Sequence, residues 1–581
     1  MESSATISSV VASSGSVLLS RVYETKGRRG CAIPGLNNDT YKVQNEAHAE
    51  LINKTIPYVW KNNKLEYAPC EIFSTNDSFL SLQFNDTNRT KVACHKWVYD
   101  KSTVIKTAAT EMNMVCSKEI YGSLTKMWFM VGMLVGSFML GIVSDKFGRK
   151  PAYFICLLGN IASTVCVYWI PEVISLEAAR FTTGVFIVGL YMIIFVISVE
   201  HVGSSKRTLV GVILNIIYTL GEILTGAIAY FVRDWRTLCL LLSSVLWPTI
   251  FYWCVLVESP RWLILKKRYA EAEMIFRKAA YVNKVELPED LFLPDEDNKE
   301  ERIMVHEGFL KLFKSKILLL RSLIIFFNWS VISFVFFGLL MISNNLAGNL
   351  YVNTTVNAAV EIPAVIGVLF VLDRWGRKPL YFSSVVLAGL ACLASGLISM
   401  YLPDNLQWIS VTAAMIGKFG ASAGFTIIYI FTTELFPTVV RNAGVGASSC
   451  AARIGSIVAP YTVDLGHLIS SGPLGTGFPM LLYGVLSLIA GGLSLYLPET
   501  LGKDLPETIT DGERFGNSSY TFLANEEDAD NNDETDDEVS SNYPLMEDSE
   551  IVLLNNYPYE TESNERGKRI FPKSKKTTFI S

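Results

Sequence analysis

Three charged side chains inside long apolar runs are the best candidates in this chain for binding a ligand. Glu222, Lys418 and Arg453 each lie near the middle of such a run. A charged side chain at the centre of a membrane helix costs about 2.5–3.5 kcal/mol, so each one needs an opposite charge, water or an ionic ligand. A carboxylate can hold an ammonium group or a coupling cation, and an arginine can hold a carboxylate through two parallel hydrogen bonds. These residue types predict a site for a small organic ion.

Each of these residues also has a structural interpretation. Glu222, Lys418 and Arg453 could instead form internal ion pairs that serve only the packing of the helices. Glu361 also lies in an apolar run, where it precedes Pro363. A proline frees a backbone carbonyl and bends a membrane helix beside a cavity. We therefore expect a structural role for Glu361.

A short charged segment occurs twice in the chain, with its copies 228 residues apart. The first copy is GIVSDKFGRKP at 141–151, and the second is DRWGRKP at 373–379. Each copy follows a long apolar run and joins an acidic residue, a glycine turn and several cations. The repeat predicts two related halves, an architecture in which transporters hold their substrate between the halves near the bilayer midplane.

The repeated segments also predict gating clusters. Their acidic residues can pair with arginines across the seam between the halves, or accept the N-terminus of a neighbouring helix. A Glu-x6-Arg pattern occurs at one further helix end in each half. Such pairs can form in one conformation and break in the other. The alternative is that the cations only anchor the orientation in the membrane. The expected gating residues are Asp145, Arg149, Glu200, Arg207, Asp373, Arg377, Glu434 and Arg441.

The apolar runs predict an all-α polytopic membrane protein. Half of the 581 residues are hydrophobic and only 18% are charged. A helix of about 20 apolar residues spans the hydrocarbon core of a bilayer. The eleven candidate spans are 124–143, 152–170, 181–199, 209–232, 238–257, 322–342, 356–372, 381–402, 409–431, 443–463 and 478–497.

The loops indicate the orientation of these spans. Lys and Arg gather in the loops of one side, which is therefore predicted to be cytoplasmic, and the segment 31–120 is predicted to lie outside. This outer segment holds five glycosylation sequons, at Asn38, Asn53, Asn76, Asn85 and Asn88. It also holds Cys31, Cys70, Cys94 and Cys116. An even number of cysteines in an oxidising compartment predicts two disulfides, and three pairings are possible.

Eleven spans leave the outer segment without a helix before it. Residues 7–19 are too short and too rich in serine to serve as a span or a signal peptide. We expect that a first helix is missing, through an alternative start or an imperfect gene prediction. The alternative is a bundle that tolerates a free outer N-terminus. The predicted divisions are an atypical N-terminus at 1–30, the outer segment at 31–120, helical bundles at 121–257 and 321–499, a cytoplasmic loop at 258–320, and a disordered acidic cytoplasmic tail at 500–581.

Several longer motifs now point to a family. ESPRWL at 258–263 closes the first half, and PETLGKDLPET at 498–508 closes the second. Together with the repeated turns and the cysteine-bearing outer segment, they resemble the organic cation/anion/carnitine transporter family of the major facilitator superfamily. The resemblance runs from about residue 31 to residue 513. It implies two pseudo-symmetric six-helix bundles and alternating access.

Within that family, the chain is most similar to the carnitine and zwitterion branch, on GKFG at 417–420, TELFPTVVRN at 433–442 and ARIGS at 452–456. At the position of Arg453, anion and carnitine transporters tend to carry arginine, whereas cation transporters tend to carry aspartate. Tyr191 and Phe336 match positions where cation-handling relatives turn aromatic rings toward the cavity.

The resemblance and the buried charges together predict a substrate site. Arg453 would hold a carboxylate, while Glu222, Tyr191 and Phe336 would hold an ammonium group, for which an aromatic face contributes about 0.5–2 kcal/mol. Lys418 completes the expected set.

The sequence therefore favours a plasma-membrane secondary transporter of small organic ions or zwitterions, with Na⁺ or H⁺ as a possible coupling ion and membrane lipid around it. One alternative is a glycosylated, non-transporting relative that acts as a receptor or interaction protein, and another is a sugar carrier. No phosphate loop, metal-ligand spacing, cofactor motif or nucleic-acid patch supports an enzyme or a nucleic-acid-binding protein.

Overall fold

The structure is a computed structural model, and it describes most of the chain between residues 29 and 515. The described ranges are 29–36, 39–61, 64–74, 90–102, 105–203, 207–288, 315–342, 350–403, 406–437, 440–469, 473–503, 506 and 509–515. The acidic tail, the first 28 residues and four of the five sequon asparagines (Asn38, Asn76, Asn85 and Asn88) lie outside the described residues.

The outer segment is small and cross-linked. Its helix is α1 (Glu46–Thr55), and its antiparallel strand pairs are β1 (Arg29–Cys31) with β6 (Trp97–Tyr99), β2 (Tyr58–Lys61) with β3 (Lys64–Tyr67), and β4 (Glu71–Phe73) with β5 (Lys91–Ala93).

The four cysteines of this segment select one of the three possible pairings. Cys31 is joined to Cys94 and Cys70 to Cys116, with Cα atoms 5.8 Å apart in each pair. Of the five sequon asparagines in the outer segment, only Asn53 is described, and it is exposed on α1. Its side-chain oxygen accepts hydrogen bonds from Tyr58 and Tyr67 at 2.6 and 2.5 Å. Burial, with a contribution from the hydrogen bond to Tyr58, raises the pKa of Tyr67 to about 12.

The first half of the membrane region follows a short helix, α2 (Ala108–Glu111). Its long helices are α3 (Ile120–Phe147), α4 (Arg149–Cys166), α5 (Val173–Glu200), α6 (Arg207–Phe231) and α7 (Trp235–Ser244), which a 3₁₀ segment (Trp247–Cys254) prolongs. The short helices α8 (Pro260–Leu265) and α9 (Tyr269–Asn283) follow. Glycine allows α3 and α5 to touch closely, because a Cβ on Gly132 or Gly136 would meet a backbone oxygen of α5 at 2.1 or 2.3 Å.

The second half contains one more span than the first half shows. Its helices are α10 (Lys316–Ile342), α11 (Leu350–Ala359), α12 (Glu361–Trp375), α13 (Arg377–Tyr401), α14 (Gln407–Leu435), α15 (Arg441–Val458), α16 (Tyr461–Ile469), α17 (Pro473–Ser494) and α18 (Ile509–Arg514). Helices α11 and α12 form one span that is interrupted before Pro363. This residue has no N–H to donate to the carbonyl of Ala359, four residues earlier.

Ten of the eleven expected spans appear among the described residues as helices that are long and apolar enough to cross a membrane. The eleventh, expected at 443–463, is divided into α15 and α16 at Ala459 and Pro460, so neither piece has the required length. Some helices, such as α3 and α14, run longer than their apolar runs at both ends, because polar residues continue them into the interface.

The two halves differ by one helix, α10, which has no counterpart among the described residues of the first half. Helix α10 packs against α14, α15 and α17. Their counterparts in the first half are α5, α6 and α7, and among the described residues no helix occupies the place of α10 there. The absence of a first helix stays a prediction, because it concerns residues outside the described part.

The two halves contact each other at the ends of the helices next to the outer segment. We call these the outer ends, and the opposite ends, next to Arg149 and Arg377, the inner ends. Helix α3 packs against α15 and α16, and α6 packs against α11 and α12. Tyr461 donates a hydrogen bond to the sulfur of Met127 at 3.1 Å, and the hydroxyl of Ser123 donates to the carboxylate of Asp464.

Candidate functional site

A compact ion cluster lies at the inner end of the first half. The guanidinium of Arg149 contacts the carboxylate of Asp145 at 2.8 Å and that of Glu200 at 3.5 Å. It also donates to the carbonyl of Ser144 at 3.1 Å. Asp145 is largely exposed, whereas Arg149 and Glu200 are mostly buried. The turn and the end of α5 are thus tied together by one arginine.

The second half contains the same cluster. Arg377 contacts Asp373 at 3.2 Å and Glu434 at 3.0 Å, and these three side chains have nearly the same exposure as their counterparts in the first half. The hydroxyl of Thr500 donates to Glu434 at 2.6 Å. The sequence shows the repeat only in the turn that follows α3 or α12. In the structure, the repeated cluster also includes the end of a third helix in each half, α5 or α14.

Two further carboxylates, which the sequence analysis assigned no role, complete the clusters. Glu258 accepts the backbone N–H groups of Arg149 at 2.9 Å and Lys150 at 3.1 Å. Glu499 accepts those of Arg377 at 2.9 Å and Lys378 at 3.0 Å. Each carboxylate thus binds the positive N-terminus of a membrane helix, α4 or α13.

The sequence does contain a signal for Glu258 and Glu499, because both belong to motifs that resemble those of a known family. Each glutamate belongs to the motif that closes its half, ESPRWL or PETLGKDLPET. The sequence shows the motifs but not the fold that brings them back to the repeated turns.

The turn glycines make room for these carboxylates. Gly148 and Gly376 have φ angles of +107° and +92°, which side chains rarely adopt. A Cβ would also lie 2.5 Å from Glu258 at Gly148, and 2.8 Å from Glu499 at Gly376.

The geometry corrects one part of the gating hypothesis. Among the described residues, the ion pairs of Asp145 and Asp373 lie within their own halves and not across the seam, and the helix N-termini are bound by Glu258 and Glu499 instead. Arg441 donates to the carbonyl of Phe436 at 3.2 Å, at the end of α14. The side chain of Arg207 lies outside the described part of the structure.

We predict that Gly148→Ala destabilises the fold and that Gly141→Ala does not. The first change forces a side chain onto a positive φ and against Glu258, at a cost of about 1–3 kcal/mol. Gly141 lies in the helical part of the same segment with no atom within 4 Å of an added Cβ. Thermal unfolding of the purified proteins in detergent measures the difference. Equal melting temperatures for Gly148→Ala and the parent would contradict the role of the turn.

Near the membrane centre, Lys418 is paired inside the second half. Its ammonium lies 2.7 Å from the carboxylate of Glu361, and both side chains are buried. The same ammonium lies 3.1 Å from the ring centroid of Phe336, which stacks on Phe425. Of the two interpretations of Lys418, the geometry favours the internal salt bridge. The ring of Phe336 faces this lysine, where the sequence analysis expected a substrate ammonium.

A double-mutant cycle tests this buried pair. Glu361→Gln or Lys418→Met alone leaves one charge uncompensated, so each should lower the free energy of unfolding by about 3–5 kcal/mol. The double variant should lose less than either single one. Thermal unfolding in detergent provides the measurement. Additive losses would contradict a direct pair.

Arg453 has a different environment. No carboxylate pairs with it among the described residues, and its Nε is buried without a hydrogen-bond partner there. The guanidinium lies near the side chains of Tyr191 and Tyr429. These two tyrosines come from opposite halves, on α5 and α14. Arg453 is half-buried as a residue, and its buried N–H group is costly to leave without an acceptor, so this position can accept an anion.

Each of these two tyrosines packs against a second aromatic ring. In the first half, Tyr191 lies edge-on to Tyr218, with ring centroids 5.8 Å apart. In the second half, Trp329 and Tyr429 have centroids 4.3 Å apart. The site thus combines one cation with aromatic rings contributed by both halves.

Glu222 lies in the contact between the halves. It is 1% exposed, on α6. One turn further out, a Cβ on Gly226 would lie 3.0 Å from the hydroxyl of Thr355, and another turn out, Tyr230 contacts Tyr351 with ring centroids 5.5 Å apart. This antiparallel register places Glu222 level with the interruption that separates α11 from α12.

These observations define a membrane transporter with two related halves and a charged, aromatic region between them. The sequence profile described as "Sugar (and other) transporter" matches residues 72–510. An organic cation transporter protein of Drosophila melanogaster is 37% identical over 496 residues, which cover 84% of this chain and 86% of that protein. The organic cation/carnitine transporter 2 of Homo sapiens is 34% identical over 423 residues, which cover 71% of this chain and 73% of the human protein.

A comparison with solved structures identifies the fold of this chain. The xylose transporter XylE from E. coli, in a partially occluded inward open conformation, matches with a TM-score of 0.56 and 14% identity, over 87% of this chain and 99% of that one. The chain belongs to the sugar (and other) transporter family and has the major facilitator fold. It is a multi-pass membrane transporter and not an enzyme, and the receptor alternative finds no support among the relatives.

Proposed function

We propose that this chain is a plasma-membrane secondary transporter of small organic ions or zwitterions, of the carnitine type, that works by alternating access. The observation that carries this proposal is the buried Nε of Arg453, which has no hydrogen-bond partner in the described part of the structure. A transporter of uncharged sugars has no need of such a cation. The names of the relatives, which include organic cation and carnitine transporters, support the same substrate class.

The two ends of a zwitterion would bind to different groups. Arg453 would hold the carboxylate through parallel hydrogen bonds. Tyr191 presents an aromatic ring and a hydroxyl next to it, and Glu222 supplies a negative charge further out. Phe336 and Lys418, which contact each other, would line the side of the site that is nearer the outer ends of the helices.

The ion clusters would act as gates at the inner ends. In this structure the outer ends of the halves are in contact, and each inner cluster is complete within its own half. Opening the outer ends requires the inner ends to approach, which would change the partners of Arg149 and Arg377. The inner ends and the C-terminal tail would face the cytoplasm, in keeping with the basic loops. The asparagines of the five sequons would carry glycans on the outside.

Exchanging the charge at Arg453 tests the substrate site. We predict that Arg453→Asp abolishes uptake of carnitine and admits tetraethylammonium, because the anion-binding group becomes a cation-binding one. Arg453→Lys keeps the charge but loses the bidentate geometry, and it should retain reduced carnitine uptake. Radiolabelled uptake in cells with matched surface expression measures both substrates. Unchanged uptake of both by Arg453→Asp would overturn the site.

Glu222 would hold either the ammonium end of the substrate or a coupling Na⁺ or H⁺. Both interpretations predict that Glu222→Gln loses accumulation driven by a Na⁺ or pH gradient in proteoliposomes. Exchange of labelled for unlabelled substrate without a gradient separates them: exchange survives if Glu222 binds the coupling ion, and is lost if it binds the substrate. Glu172→Gln, an exposed acid before α5, is the control. Unchanged accumulation would contradict either role.

A further inference from the structure

A group of cations surrounds Trp262 at the inner end of the first half. The ammonium of Lys266 and the guanidinium of Arg268 lie 5.9 and 5.8 Å from the centroid of its ring. The indole nitrogen of Trp262 donates to the carbonyl of Asp145 at 3.0 Å. Trp262 therefore fixes α8 against the turn between α3 and α4.

Two lysines of the turn between α3 and α4 also lie near aromatic rings. Lys146 lies 5.5 Å from the ring of Phe147, and Lys150 lies 5.0 Å from the ring of Trp253. A lysine over an aromatic ring lays its apolar stem along the protein and keeps its charge at the edge of the water. We define the Trp262 patch as Lys146, Lys150, Arg261, Lys266, Lys267 and Arg268.

The patch has a large excess of positive charge. Arg268 pairs with Glu271, and the nearby Asp145 is already paired with Arg149. Within the described ranges, the other five cations of the patch have no carboxylate within ion-pair distance. Cations gathered in this way repel each other unless an anion lies among them.

Exposed apolar side chains border these cations. Phe147 at the end of α3 is 58% exposed, and Leu265 at the end of α8 is 77% exposed. Trp253, at the end of the neighbouring span, is 49% exposed. Apolar and aromatic side chains at the ends of spans lie where acyl chains meet headgroups. The patch thus offers cations to a phosphate and apolar groups to the chains of the same molecule.

We propose that the Trp262 patch binds the headgroup of an anionic phospholipid. Lysines from the α3–α4 turn and from α8 would hold the phosphates together, while Phe147 and Leu265 enter the boundary of the bilayer. The proposal rests on the orientation given under the proposed function, because anionic lipids are concentrated in the cytoplasmic leaflet. The lipid would join the two segments that flank the Arg149 cluster, and so favour the conformation in which that cluster is formed.

Lipid binding to the full-length chain tests this proposal. Native mass spectrometry of the protein in detergent measures the affinities for phosphatidylserine, phosphatidylinositol 4,5-bisphosphate and phosphatidylcholine. We expect both anionic lipids to bind at least about tenfold more tightly than phosphatidylcholine. The variant K146Q/K266Q/K267Q should lose affinity on the order of 100-fold, since each cation at the surface contributes about fivefold. The control K42Q/K96Q/K101Q removes three exposed lysines of the outer segment and should bind like the parent.

Three results would overturn the proposal: equal binding of phosphatidylcholine, unchanged binding by the lysine variant, or inositol 1,4,5-trisphosphate binding as tightly as the lipids. The last would indicate a site for a soluble phosphate compound. If the triple variant does not fold, K266Q/K267Q gives the same comparison with an expected loss of about 25-fold. No transport substrate enters this experiment, so its failure leaves the proposed function intact.

Discussion

A charge inside an apolar span is stable only beside an opposite charge, and this requirement organises the interior of the protein. Lys418 satisfies it with Glu361 at 2.7 Å, and at the inner end of a span Arg377 pairs with Glu434 at 3.0 Å. Arg453 is the exception among these three cations, because no carboxylate lies within ion-pair distance of it in the described part of the structure. The proposed substrate site depends on that difference, since the anion that pairs with Arg453 would be the transported substrate.

The same requirement explains the inner ends of the helices. A buried helix N-terminus needs acceptors, and Glu258 and Glu499 supply them for α4 and α13. The arginine next to each N-terminus is then held by two acids, one on the turn and one on a third helix. Both halves contain this arrangement, so the inner ends of the helices are held together by the same kinds of contact in each half.

Much of the fold could be predicted because its signals are local. Apolar length identifies each span, and the repeated turn identifies the two halves. The interruption at Pro363 follows from the chemistry of one residue. The helix boundaries at 443–463 were harder to predict from apolar length, because α15 and α16 share one hydrophobic run but are separate helices.

The site was less predictable because its contacts join distant residues. Residue type and depth identified Lys418 and Arg453 but did not separate the paired one from the unpaired one. The partner Glu361 lies 57 residues before Lys418 in the chain, and the contact of Ser123 with Asp464 spans 341 residues. The glutamates that bind the helix N-termini follow their turns by more than 100 residues. Only the packing of the helices reveals such pairs.

The most direct measurement of the central claim removes the carboxylate from the ligand and leaves the protein unchanged. Binding of carnitine and of carnitine methyl ester to the purified full-length protein can be compared by thermal stabilisation or calorimetry. If Arg453 binds the carboxylate, the ester should bind at least about tenfold more weakly, because the guanidinium is left without an anion. Equal affinity for carnitine and its ester would contradict the account.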